Sequence, residues 1–391
     1  MIAEYYETAS LHIAHYEYGS CGEHYFLGVG LLSKARMIEV VAATLIATTI
    51  YLLLTIAALL SIICPPLQSL SSHGKTRSRN KNTQDDALRI FQRLQHFAFN
   101  GLIVNKCRFI DFYAAGIITT VLIVYATIAS NATNSNEDFM PLSQIIHRWL
   151  PTFLLMVHLI RRYCECKWVQ KSETSSQMHL AGYLLGIMHY ICLPFVLVPL
   201  PMSCSYDDSD IPSGGVGVCD ILLPSRITSV QSLLDIMSVI GCIYFQYEQH
   251  RHHVILGNLR NNPNSASTYY SLPTGGWFER ISCPHYLAEI MIYFMFALLL
   301  SKHQQCINAR ESDTRAWIGL LGKSMLNWLD PYLGNDSMAI LITIYKSRQW
   351  VLLLWVTTNL SISAKRTHDW YLEKFGVAYP RCRKRLIPFV W

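Results

Sequence analysis

Between Met37 and Ile63 the chain carries one charged residue, Glu39, in an apolar run longer than the ~20 residues a helix needs to cross ~30 Å of hydrocarbon. Six more apolar runs follow, at 110–130, 145–161, 180–202, 228–247, 286–300 and 348–364. Those at 145–161 and 286–300 are short and call for tilt or for shielding by neighbours. Half of the residues are apolar and only 15% are charged, a balance outside the range of an ordinary soluble domain. The expected fold is all-α, a polytopic membrane protein of about seven transmembrane helices. Residues 1–36 form an N-terminal extension, 37–391 the membrane domain, and 303–345 an insert between the last two spans. No cleavable signal peptide is expected, because the first apolar run starts late and is too long for an h-region, so the first span would serve as its own insertion signal.

Charge sets the orientation. Lys75, Arg77, Arg79, Lys81, Arg89, Arg93, Lys106 and Arg108 lie between the first two spans, and basic residues return at Arg161, Arg162, Lys167 and Lys171, at Arg251, Arg260 and Arg280, and in the tail from Lys365 to Arg385. These loops and the C-terminus are expected on the cytosolic side, and the N-terminal extension in the lumen. The alternate loops at 131–144 and 203–225 lack Lys and Arg and carry Glu137, Asp138, Asp207, Asp208, Asp210 and Asp220. The glycosylation sequons at Asn131 and Asn335 fall on the same lumenal side. The mixed charge of 301–347 is compatible with a lumenal position, since long translocated loops largely escape the rule.

Twelve cysteines are scattered without a CxxC pair, and Cys164-Glu-Cys166 has the wrong spacing for zinc, so no metal site is expected. Cys204 and Cys219 share one lumenal loop, as a disulfide or as two thiols. Ser71–Asp86 reads as a flexible connector, and Leu88, Phe91, Leu94, Gln95 and Ala98 follow at the spacing of an interfacial helix. No Walker loop is present, and Gly214-Gly215-Val-Gly217 has no helix after it, which excludes a Rossmann domain.

Three clusters could carry chemistry. His158, Arg162 and Glu165 share a helical face after the third span. A basic loop runs from His253 through Asn258 and Arg260 to His285 and into an apolar helix that would have to bury Glu289. A carboxylate buried in lipid costs several kcal/mol unless it faces a partner or a cavity, so Glu289 marks a functional site. The tail adds His368, Tyr371, Tyr379-Pro380, Arg383 and Pro388-Phe389. Each cluster by itself also reads as a solvated or head-group-facing surface.

Taken in order, Arg161-Arg162-Tyr-Cys-Glu165, His253-Val-Ile-Leu-Gly-Asn258-Leu-Arg260, Gly276-Trp277-Phe278-Glu279, Ser282-Cys-Pro284-His285-Tyr286-Leu-Ala-Glu289 and the tail resemble the steroid 5α-reductase family. The likeness is to its dolichol-pathway, polyprenol-reducing branch. It covers roughly 64–300 and 348–391, leaving the first 35 residues and the insert as departures. The resemblance implies an endoplasmic-reticulum enzyme that uses NADPH to saturate the α-isoprene double bond of a polyprenoid lipid in the dolichol synthesis that serves protein N-glycosylation. It places Arg162, His253, Asn258, Arg260, His285, Glu289, His368, Tyr371 and Arg383 around the dinucleotide. Its partners would be that lipid and the bilayer, with no nucleic acid; the sequence carries no indication of oligomeric state.

A hydride is a nucleophile, and the alkene of an allylic alcohol offers it no low-lying orbital, whereas a conjugated aldehyde does. The substrate reduced is therefore expected to be polyprenal, with hydride added at the β-carbon, an acid polarising the carbonyl and a proton reaching the α-carbon. Steroid-reducing relatives place a tyrosine beside the histidine of the third-span motif; here the histidine matches His158 and the tyrosine slot is Leu159. His158 is the first candidate for the acid and Glu289 the second, while Glu289 could equally hold the nicotinamide amide. No counterpart of the family's other carboxylate aligns near Gln68. The competing readings are reduction of a steroid 4-en-3-one or an enoyl thioester, and a seven-helix receptor or transporter without turnover.

Overall fold

The computed structural model describes residues 21–63, 103–132, 142–170, 177–198, 230–259, 271–308 and 337–388. The Ser71–Asp86 connector, the interfacial helix at 88–98, Gln68, the Cys204 and Cys219 pair, Arg260, the Asn335 sequon and the centre of the insert lie outside the described residues.

The described residues fold into helices α1 (Cys21–Ile63), α2 (Phe109–Ala132), α3 (Leu142–Cys164), α4 (Leu180–Leu197), α5 (Val230–Leu259), α6 (Pro284–Asn308), α7 (Ser337–Lys346) and α8 (Arg348–Phe375). A two-stranded antiparallel ribbon, β1 (Ile103–Asn105) with β2 (Gln177–His179), ties the start of α2 to the start of α4, with Ile103 opposite His179. The His179 ring caps α4 by accepting from the Ala181 amide at 3.1 Å, which satisfies one of the amides left over at a helix start.

A helix overlies each of the seven apolar runs. Four of these helices contain stretches long and apolar enough to cross a membrane, at Val40–Ile62, Lys106–Ala129, Leu180–Leu197 and Pro284–Ser301. Large apolar side chains such as Leu53, Ile118, Leu122, Phe153 and Ile240 point outward and exposed, an arrangement that lipid tolerates and water does not. Inside, Tyr51, Leu155, Leu159, Leu193, Leu197, Ile292, Phe296 and Leu352, drawn from five helices, belong to one continuous core. Helices in lipid gain little from hiding apolar surface, so close packing must hold them together. Gly186 shows the consequence: a Cβ there would lie 2.5 Å from the Phe112 ring, so α4 and α2 can approach this closely only with glycine.

Neighbours pack around the bundle in the order α5, α6, α8, α1, α4, α2, α3. The ring closes where a π-helical turn, Glu165–Val169, continues α3 and meets the end of α5. Gly257 permits this closure, because a Cβ there would sit 2.5 Å from the Val169 carbonyl oxygen.

One sequence expectation is corrected here. The segment from His253 to Leu259 is not a loop but the last two turns of α5. Its polarity suggested a solvated surface; Asn258 is indeed exposed, but His253 and the preceding Gln246, Glu248, Gln249 and His252 are buried against the rest of the bundle. Polar residues end an apolar run without ending a helix when they turn inward onto one another.

Candidate active site

The polar interior begins at the end of α3. Arg161 and Arg162 both bind Glu165 one turn on, Arg161 to Oε1 and Arg162 to Oε2. From α5, His250 Nδ1 lies 2.8 Å from Glu165 Oε1, and His253 Nδ1 lies 2.7 Å from both Glu165 Oε2 and Arg162 Nη1. Arg162 also donates through Nη2 and Nε to the Tyr113 hydroxyl of α2 at 2.7 and 3.1 Å. Burial alone would raise the Glu165 carboxyl; His253, Arg162 and Arg161 hold it well below the usual carboxylate range. Burial, reinforced by Arg162, pushes the His253 imidazole down to about 4, so the ring is neutral. The knot ties α2, α3 and α5 together at the end of the bundle.

Glu289 sits beside this knot, on α6. Gln249 donates to Glu289 Oε2 and accepts from Arg161, linking the two carboxylates through one amide. His158 Nε2 lies 3.5 Å from Glu289 Oε1, and its Nδ1 lies 3.4 Å from Arg161 Nη2. A guanidinium can only donate, so Nδ1 accepts and the ring hydrogen resides on Nε2, facing Glu289. The two acids differ in access: the Glu165 side chain is 2% exposed and the Glu289 side chain 14%. Glu165 is sealed by its partners, and Glu289 is the carboxylate with a side open to a ligand.

The tail forms a second cluster against the start of α6. Ser282 Oγ lies 2.6 Å from His368 Nδ1 and 2.6 Å from the Tyr379 hydroxyl. The Ser282 amide donates to the Lys384 carbonyl and the Lys384 amide to the Arg280 carbonyl. Tyr371 stacks on Tyr379 at 5.7 Å, and Arg383, buried over the Tyr379 ring, donates to the Pro273 carbonyl at 2.9 Å. His285 bridges toward the knot, with its ring 5.4 Å from that of His253. Of the residues expected at the site, His158, Arg162, His253, His285 and Glu289 therefore converge, and His368, Tyr371 and Arg383 gather in the tail seam. Asn258 is exposed on the last turn of α5.

With this geometry in place, comparison with known proteins decides the family. A sequence profile described as 3-oxo-5-alpha-steroid 4-dehydrogenase matches residues 226–309 and 332–391, the stretch that holds Glu289 and the tail. Polyprenal reductase 1 of Arabidopsis thaliana is 30% identical over 316 residues, 76% of this chain and 85% of its own length. The chain belongs to the steroid 5α-reductase family. Polyprenal reductase 1 of Oryza sativa subsp. indica is 29% identical over 72% of this chain and 78% of its own length. Polyprenal reductase of Xenopus tropicalis is 25% identical over 85% of this chain and 90% of its own length. The protein is accordingly an oxidoreductase acting on a C=C bond, and a reductase of this family requires a nicotinamide cofactor.

The residues fit such a cofactor. Glu289, with Gln249 behind it, presents an acceptor suited to a carboxamide, and the buried Nε atoms of Arg161 and Arg383 have no hydrogen-bond partner among the described residues. Cationic donors left open in this way suit phosphate oxygens.

Sequence reasoning about this family member missed Gln249, Tyr113 and an aromatic shell beyond Glu289. His189 of α4 is surrounded by Tyr51, Tyr190 and Tyr293, at ring separations of 5.5, 4.9 and 6.3 Å. Trp355 donates its indole N–H to His189 Nδ1 at 3.3 Å, and the Tyr293 hydroxyl lies 3.4 Å from His189 Nε2. Tyr293 was findable, because it stands four residues after Glu289 on one helical face.

Proposed function

We propose that this protein reduces the α-isoprene double bond of a polyprenal with NADPH, giving the saturated aldehyde on the route to dolichol for protein N-glycosylation. The reading makes it a multi-pass protein of the endoplasmic-reticulum membrane with seven spans, the four strongly apolar helices plus α3, α5 and α8. Polar residues of those three such as His158, Gln246, Gln249, Arg348 and Gln349 are buried, which lowers the hydropathy of the helices without removing them from the bilayer. Residues 1–36 and the 303–345 insert lie in the lumen, and the C-terminus lies in the cytosol, where NADPH is available.

The observation that carries the reading is Glu289: a carboxylate inside an apolar helix, held by Gln249 and His158, with one side accessible. Glu289 would accept from the carboxamide of a bound nicotinamide, with His158, 3.5 Å away, as its positioning residue. Arg162, His253, Asn258, Arg260 and His285 would serve the phosphates, and His368, Tyr371 and Arg383 the tail side of the cofactor. When bound, the nicotinamide supplies a hydride. The apolar core and outward lipid-facing helices suit a polyprenoid chain, and relatives named polyprenal reductases match most of the chain.

Mass spectrometry of turnover tests this. Purified protein should convert polyprenal to its α-saturated aldehyde with NADPH, faster than with NADH. Reduction of polyprenol at the polyprenal rate, or preference for a steroid 4-en-3-one or an enoyl thioester, overturns it.

A further inference from the structure

The reaction needs a donor for the carbonyl oxygen, and His158 Nε2, though without a hydrogen-bond partner among the described residues, is directed at Glu289. Its single ring hydrogen faces Glu289 and its other nitrogen faces Arg161. Leu159 beside it has a side chain fully buried in the apolar core.

A different hydroxyl is available. Trp355 N–H can only donate, so His189 Nδ1 accepts and the ring hydrogen of His189 sits on Nε2. That hydrogen points at the Tyr293 oxygen, 3.4 Å away, so Tyr293 acts as acceptor toward His189 and retains its own O–H. Among the described residues that O–H has no acceptor, although Tyr293 is only 3% exposed. The His158 ring packs edge-on against Tyr293 at 6.3 Å. Tyr293 follows Glu289 by one helical turn, a rise of about 6 Å toward the middle of the bundle. A conjugated aldehyde has its oxygen three bonds from the carbon that receives hydride, so its binding group must stand beyond the carboxamide contact and away from the phosphates. Tyr113 also keeps its O–H while accepting from Arg162, but its oxygen is fixed inside the Arg162–Glu165 knot.

We propose that the Tyr293 hydroxyl binds the aldehyde oxygen of the substrate and stabilises the charge that develops there, with His189 and Trp355 as positioning residues; this rests on the polyprenal reading above. As hydride forms the new C–H bond at the β-carbon, the C=C pair moves between the α-carbon and the carbonyl carbon, and the C=O π pair moves onto oxygen. Tyr293 donates a hydrogen bond to that enolate oxygen and keeps its proton. A proton from water then forms the α C–H bond as the carbonyl is restored, so that one hydride and one proton are consumed for each C=C saturated. The donor hydrogen bond from His189 polarises the phenol and strengthens the bond it gives.

Tyr293→Phe removes one hydroxyl and keeps the ring packing. Its kcat on polyprenal should fall ~100-fold or more, the loss typical of deleting one oxyanion donor, while KM for NADPH and NADPH-dependent thermal stabilisation of the solubilised protein stay at wild-type values. Trp355→Phe should lower kcat several-fold with KM for polyprenal unchanged, and it serves as the deciding variant if Tyr293→Phe does not fold. Tyr113→Phe should raise KM for NADPH and spare kcat at saturating cofactor. Wild-type kcat in Tyr293→Phe, or a larger kcat loss in Tyr113→Phe, overturns the inference and leaves the polyprenal reading standing. A wild-type protein inactive on polyprenal overturns both.

Discussion

The knot around Glu165 and the tail seam around Ser282 both hold residues expected at the cofactor, and they are built in opposite ways. In the knot, two guanidiniums and two imidazoles surround one sealed carboxylate, and every link joins different helices or successive turns. In the seam, hydroxyl, imidazole and backbone groups lace a C-terminal segment to the start of α6, and the one guanidinium among them, Arg383, rests on the Tyr379 ring and donates to a backbone carbonyl. A charged, buried cluster must be complete, because removing one partner leaves the others desolvated and unpaired. A neutral cluster loses only the bond removed. The knot thus tolerates no missing partner, whereas the Ser282 bonds of the seam can each be lost singly.

The sharpest way to break this contrast is Glu165→Gln, which leaves Arg161 and Arg162 uncompensated. It should destabilise the solubilised protein by about 3–5 kcal/mol, seen as a large drop in thermal midpoint. Glu289→Gln sits between the two regions: the fold should survive, while kcat/KM on polyprenal falls ~100-fold. His158→Ala, which removes the imidazole 3.5 Å from Glu289, should lose ~10-fold. Full activity in both variants would remove Glu289 from the site.

Acidification probes the knot more gently. His253 has its folded value lowered from 6.5 to about 4, so the unfolded chain takes up this proton first. Its contribution is intact above pH ~6.5 and is lost as pH falls toward 4, about 3 kcal/mol at most. The depressed Glu165 carboxyl adds to the loss only below its ordinary value near 4.5. Thermal midpoints should therefore fall between pH 7 and pH 5, and His253→Gln should flatten that slope; an unchanged slope would place the acid sensitivity elsewhere. The smallest effect is expected from Ser282→Ala in the seam, about 1–2 kcal/mol of local stability. It should appear as a severalfold rise in KM for NADPH and faster proteolysis of the tail, with the thermal midpoint nearly unchanged.

Much of this was legible in the chain. Among the described residues the apolar runs located every long helix, and the Arg162, Glu289 and tail motifs named the residues that gather in two clusters. The end of α5 was misread because an inward-facing polar helix and a solvated loop share the same composition. Gln249 escaped notice for a related reason: an uncharged amide in a polar run stands out only once Arg161 and Glu289 are seen on either side of it.

By itself the sequence determined that the chain crosses a membrane as helices, since apolar runs of this length leave the backbone no partner but itself. It also determined which ionisable residues would need partners there. The tertiary structure decided who those partners are: Glu165 is sealed by α3 and α5, Glu289 keeps an open side, and Tyr293 meets a histidine more than one hundred residues away. Pairing across helices depends on the order in which they pack and on the glycines that let them approach, and no local pattern encodes either.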